Sequence, residues 1–215
     1  TNMKNIFRKN TLIIFLKHPE PGKVKTRLAE EIGAQRAAEI YSAMAERIVS
    51  ELSLCPEYHT LLQYHPPEKE NEIRDWLGNT RTRLRAQSGE SLGDKLSDAF
   101  EKIFSEDTER AVVIGTDCVD ITVDHLREAF SYLDEYDAVL GPARDGGYYL
   151  LGLRAHDSRI FGGIDWSTGL VLSQTIERLN SLSLRYILLE ELNDIDTASD
   201  LVRFCDEIYD SGVRS

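Results

Sequence analysis

Cysteine is scarce in this chain: Cys55, Cys118 and Cys205 are widely spaced, odd in number and never arranged as C-x-x-C. That excludes a disulfide framework, argues against a structural zinc site, and fits a reducing cytoplasmic setting. Long apolar runs are also missing, since nothing approaches the roughly 18 residues that cross a bilayer. The apolar stretch "TLIIFL" follows basic residues, as in a secretory signal, but Lys17 cuts it short and no small-residue cleavage site follows, so a core strand is expected. There is no repeat, low-complexity linker or break in composition. One domain over residues 11–210 is expected, preceded by an extension over 1–10. Several catalytic signatures are absent as well: no G-x-x-x-x-G-K-[ST], no G-x-G-x-x-G, no H-E-x-x-H and no G-x-S-x-G. A hydrolase built on an activated serine or cysteine therefore has no local support.

Positive charge is in short supply. Lysine and arginine number 25 against 37 acidic residues, for a net charge of -12 over 215 residues. Such a chain is repelled by nucleic acid and anionic membranes, so neither is an expected partner, and any anionic ligand needs local cations or a metal ion. Against that background "KHPEPGKVKTRLA" (17–29) stands out, with Lys17, Lys23, Lys25 and Arg27 around two prolines and Gly22.

Apolar β-rich runs alternate with helical patterns of 10–15 residues, the mark of a mostly parallel sheet covered on both faces. Strands are expected at 11–17, 58–65, 82–87, 110–116, 137–143, 146–154 and 185–192. Helices are expected at 26–52 with a break at Gly33, then at 68–78, 91–104, 122–133, 167–182 and 197–210. Ligands of such sheets bind at the carboxyl ends of the strands, which groups several scattered residues.

The basic loop leaves the first strand and runs into a helix start, whose free N–H groups attract anions; it suits a polyphosphate, or is a solvated basic turn. "AVVIGTDCVD" ends a buried strand in Thr116-Asp117, and a carboxylate there is a hard ligand for Mg²⁺ or Mn²⁺. Asp120 instead reads as a cap for the helix near Ile121. In "LNDIDTASDL", Asp196 or Thr197 caps a helix, or Asp196 supplies a second metal carboxylate. "GPARDGGYYLLGL" carries paired Gly146 and Gly147, the mark of a bulge or a close approach of backbone to ligand. Asp145 before them is a candidate for holding an acceptor hydroxyl or assisting the metal, or an ordinary turn aspartate. Trp166 precedes a helix capped by Ser167 or Thr168 and either stacks on a sugar or base or fills core.

In order, "KHPEPGKVKTRL", "QSGESLGDKLSDAF", "VVIGTDCVDIT", "GPARDGGYYLLGL", "GIDWSTGLVLSQT" and "NDIDTASDL" resemble a bacterial family of glycosyltransferase-A-fold proteins, over about residues 11–205. That family, formerly of unknown function, is labelled transferase 1 associated with radical SAM and selenocysteine-containing proteins, or arsenosugar-biosynthesis glycosyltransferase. It sits in the nucleotide-diphospho-sugar transferase superfamily. The resemblance implies a three-layer α/β/α, Rossmann-like GT-A fold with a mostly parallel central sheet. It also implies a divalent metal on Asp117 and Asp196, and phosphate contacts from the Gly22–Arg27 loop, chiefly Lys25 and Arg27, beside Lys17 and Thr116. Gln87 to Gly93 falls where the superfamily contacts base or α-phosphate; Asp145, Gly146, Gly147, Tyr148 and Trp166 fall in the acceptor half. Asp117, Asp145 and Lys25 are the catalytic candidates. The family motif T-D-x-P is broken here by Val119, which loosens the turn and keeps Asp117.

The leading expectation is a metal-dependent glycosyltransferase that moves a sugar from a nucleoside-diphosphate sugar to a small-molecule acceptor. The alternative is a nucleotidyltransferase that couples an NTP to a phosphorylated acceptor and releases pyrophosphate, a reading the basic loop favours. A non-catalytic nucleotide-binding protein is the third.

Overall fold

The computed structural model describes residues 9–78 and 82–203. Its elements are β1 (Asn10–Lys17), α1 (Thr26–Ile32), α2 (Ala34–Leu52), β2 (His59–His65), α3 (Glu70–Trp76), β3 (Arg83–Ala86), α4 (Leu92–Phe104), β4 (Arg110–Ile114), α5 (Val123–Tyr132), β5 (Ala138–Pro142), β6 (Tyr148–Leu153), α6 (Val171–Ser181) and β7 (Tyr186–Leu188). Seven strands form one sheet in the order β3-β2-β1-β4-β6-β5-β7. Among the described strands, only β6 runs against its neighbours, β4 and β5.

The period of two along β1 explains the layers. Leu12, Ile14 and Leu16 enter one core with Met44, Ile48 and Leu52 of α2 and Leu126 and Phe130 of α5. Ile13 enters the other with Leu96, Phe100 and Ile103 of α4 and Leu179 of α6. Each fully buried side chain of this kind contributes about 1.5–3 kcal/mol, so the sheet is clamped from both faces. This is the three-layer α/β/α arrangement that the sequence predicts.

Local chemistry places several ends differently from the sequence reading. Gly33, at φ 91°, does break the helical run between α1 and α2. α4 is capped by Ser91, whose side chain accepts from Asp94 N–H while the Asp94 carboxylate accepts from Ser91 N–H. α5 is capped not by Asp120 but by Thr122, paired with His125. α6 begins at Val171, after Leu170, because Ser167 is left-handed at φ 64° and Thr168 folds back to donate to the Asp165 carbonyl. β7 stops at Leu188; Leu192 returns to the sheet edge through one bridge to Ala143. The last predicted helix, 197–210, lies inside the described residues only as far as 203, and Cys205 lies outside them, as does most of the extension over 1–10.

Candidate functional site

The parallel strands β1, β2 and β4 all point their carboxyl ends to one edge of the sheet, where a cavity of about 630 Å³ opens. Lys17 at the end of β1 and Thr116 and Asp117 just past β4 line it, with Lys25 and Arg27 from the basic loop. Gln87 and Tyr148 also line it, and Asp196 closes it. Asp196 arrives through the backbone: Ile195 N–H donates to the Asp117 carbonyl at 3.0 Å, while the Ile195 side chain is buried in the core. Thr197, not Asp196, caps the following turn, paired with Asp200. The Asp196 carboxylate is thus left for the cavity.

Lys25 ties the carboxylates together. Its Nζ lies 2.5 Å from Asp117 Oδ1 and 3.0 Å from Asp196 Oδ1, and its side chain is almost wholly buried. Burial pushes its proton affinity down, but the two carboxylates outweigh this and the net shift is upward. Lys25 also holds a left-handed backbone, φ 47° and ψ 49°, which costs an L residue about 1–2 kcal/mol. Arg27 stands further out, 4.0 Å from Asp196 and largely exposed. Behind Asp117 a hollow of about 60 Å³ holds Asp194, Cys118 and Tyr149. Burial, then Asp117, Asp145 and Asp196, push the Asp194 carboxyl up to about 7. Negative charge is therefore in excess at this end of the cavity. The Cys118 thiol, buried beside it, is pushed up to about 12 and is no nucleophile.

Other predicted residues are placed elsewhere. Gly22 makes an exposed turn at φ 79°, outside the cavity lining. Gln87 lines the cavity, yet its amide donates to the carbonyls of Gln63 (2.9 Å) and Leu16 (3.4 Å), bracing the ends of β1 and β2. Asp145 accepts from Gly147 N–H at 2.8 Å in a turn. The close approach at Gly146 is to backbone of this chain and not to ligand space: at φ 88° a side chain would collide with the Gly169 carbonyl. Trp166 does not line the cavity; it packs on Gly93, where any Cβ would strike the indole. Gly93→Ala is therefore expected to cost about 1–3 kcal/mol by overpacking, read as a lower denaturation midpoint with an altered tryptophan signal.

Two cavity residues, and a third in the hollow behind Asp117, escaped the sequence reading. Tyr41 of α2 is buried, and its hydroxyl accepts from Lys17 N–H (2.7 Å) and Thr116 Oγ1 (3.0 Å). With both acceptor positions used, its own hydrogen is available to a third group. Its helical spacing reads as ordinary core. Lys95 of α4 lines the same cavity as Asp196, and Asp194, inside "NDIDTASD", lines the hollow behind Asp117. Like charges two residues apart on an extended segment were the available signal for Asp194.

The sheet order, the site at the carboxyl edge and the paired loops at 117 and 196 define the nucleotide-diphospho-sugar transferase and nucleotidyltransferase fold. The chain belongs to the family described as "uncharacterized protein conserved in bacteria (DUF2064)", whose model matches residues 48–168. A crystal structure of a candidate nucleotide-diphospho-sugar transferase from Desulfovibrio desulfuricans G20 is 34% identical. That match covers 90% of this chain and 85% of the other, with a TM-score of 0.85. The 2-phospho-L-lactate guanylyltransferase of Methanocaldococcus infernus is 27% identical over 130 residues, 60% of this chain and 55% of that protein. The match thus spans little more than half the length of that relative. CMP:2-keto-3-deoxy-manno-octonic acid synthetase, solved with CTP, shares the fold alone, at 11% identity and a TM-score of 0.59 over 94% of this chain and 99% of the other. The first two of these are transferases by name. Among the described residues no helix is long and apolar enough to cross a membrane.

Proposed function

We propose that the chain is a divalent-metal-dependent nucleotidyltransferase, joining an NTP to a small phosphorylated acceptor. The observation that carries this reading is the division of one nucleotide-sized cavity into an acidic pole at Asp117 and Asp196 and cations at Lys17, Lys25, Arg27 and Lys95. Similarity to a guanylyltransferase supports it over sugar transfer. In this reaction an acceptor phosphate oxygen attacks the α-phosphorus, the bond to the bridging oxygen breaks, and the electron pair leaves with pyrophosphate.

The residues present fit a hard cation, because Asp117 and Asp196 bring two carboxylates onto one point of the cavity, both on Lys25 Nζ, with their outer oxygens open to the cavity. Among the described residues no three metal-binding side chains converge. Asp117 and Asp196 would then hold the ion with phosphate and water oxygens completing its shell, and it would supply charge neutralisation on the reacting phosphoryl group. Lys25 spaces and orients the two carboxylates, Thr116 and Tyr41 fix the strand end that carries Asp117, and Arg27 stands at the rim beside Asp196. Catalysis of this kind is mostly positioning and electrostatics.

A nucleoside-diphosphate-sugar donor is the second reading, favoured by the description of the Desulfovibrio desulfuricans relative. Melting the protein with Mn²⁺ against NTPs and against diphosphate sugars separates the two. A ligand at 100 times its Kd adds about 2.7 kcal/mol. The expected result is a metal-dependent shift with an NTP, followed by pyrophosphate release when acceptors are added. A shift confined to one diphosphate sugar would reverse the assignment.

A further inference from the structure

The cavity has a second pole, of opposite sign, that the acidic pole does not use. Lys17 and His65 are register partners at the carboxyl ends of β1 and β2. Lys95, on the second turn of α4, faces the same space as Lys17. Lys25 is already bridged to two carboxylates. By contrast, neither Lys17 nor Lys95 has a carboxylate within ion-pair distance among the described residues, and the His65 ring has no hydrogen-bond partner there. Two lysines thus face the cavity without a carboxylate partner, with His65 beside Lys17 on the neighbouring strand but outside the lining, in a chain whose net charge is -12.

Building on the nucleotidyltransferase reading, we propose that Lys95 and Lys17, with His65 behind them next to Lys17 on β2, form the subsite for the diphosphate tail of the donor, distinct from the carboxylates that hold the transferred phosphoryl group. The loop that resembles a phosphate grip then divides its labour: Lys25 organises carboxylates, and Lys17 faces the anion from the other side. When the α-phosphorus changes partners, the departing pyrophosphate takes its electron pair into a field of like positive charges. The mutual repulsion of these groups agrees. Burial lowers the proton affinity of Lys95 and Lys17 lowers it further; burial, Lys95 and Lys17 do the same to His65, and only Glu68 opposes them. An anion bound between Lys17 and Lys95 would offset that repulsion. Among the described residues that line the cavity, Tyr148, Tyr149 and Leu151 of β6 contribute no cation.

The test is calorimetric binding of inorganic pyrophosphate, of the preferred NTP and of its NMP to wild type, Lys95→Met and Lys95→Arg. Lys95 is only half-buried, so Lys95→Met should fold, as circular dichroism would check. Lys95→Met is expected to weaken pyrophosphate and NTP at least tenfold, about 1.4 kcal/mol, to leave the NMP within twofold, and to be largely rescued by Lys95→Arg. Unchanged pyrophosphate affinity, or equal weakening of NTP and NMP, would overturn the subsite while leaving the nucleotidyltransferase reading intact. A wild type that binds no NTP would instead overturn that reading.

Discussion

Asp117→Asn is expected to lower kcat by about 10²–10³-fold, roughly 3–4 kcal/mol of transition-state stabilisation, of the order found when one preorganised electrostatic group is removed. The same protein should remain folded. Asp117 holds the 195–196 segment through its backbone carbonyl, which asparagine keeps. Its side chain is half exposed, and Lys25 keeps its second carboxylate partner, Asp196, at 3.0 Å. Asparagine is isosteric but neutral, so the change removes charge from the acidic pole and little else. Steady-state pyrophosphate release with saturating NTP and Mn²⁺ checks it, with circular dichroism as the fold control. Asp196→Asn should behave alike, because both carboxylates converge on the same Lys25 nitrogen. An Asp117→Asn enzyme within threefold of wild type would remove Asp117 from the machinery.

Much of this architecture was legible in the sequence, for reasons that can be traced to single segments. "TLIIFL" and "AVVIG" are short, β-branched and bounded by charge, so strand is the state in which they bury both faces. Gly33 and Ser91 announced their caps because their roles are local: a left-handed turn and a reciprocal side-chain bond. The carboxylates at 117 and 196 could be marked as candidates but not joined. Their meeting depends on one backbone bond across 78 residues, from Ile195 to Asp117, set by where β7 and the segment after it dock. Trp166 and the glycines at 93 and 146 misled for the complementary reason. Glycine beside an aromatic looks the same in a sequence whether the partner is a ligand or another stretch of chain, and here the partners are the indole and Gly169. Lys95 was invisible because a lysine on an amphipathic helix has a default explanation, the solvated face. Only the sheet order, which sets α4 beside the end of β1, turns it toward Lys17.

The charge arithmetic of the acidic pole makes a second prediction, with two variants of opposite sign. Lys25→Met removes the cation bridged to both Asp117 and Asp196, leaving four aspartates, 117, 145, 194 and 196, to repel one another with Arg27 at the margin. Removing one partner of a fully buried pair costs about 3–5 kcal/mol. The carboxylates here are a third to a half exposed, so about 2 kcal/mol is expected without divalent ions, a fall in Tm of about 4–8 °C. Mn²⁺ should recover most of it, and raise the Tm of Lys25→Met more than that of wild type, because the ion then does what the ammonium group did. Asp194→Asn runs the other way. Its folded proton affinity is raised, so the ionised carboxylate costs stability as pH rises from about 4 towards 7. A neutral amide at that position should raise the metal-free Tm at neutral pH and shrink the increment gained from Mn²⁺. Both are read from melting curves in chelator and in Mn²⁺, with no substrate and no activity required. If Lys25→Met melts with wild type and Mn²⁺ moves neither, these aspartates are solvated surface groups, and the chemistry proposed for them has no seat in this fold.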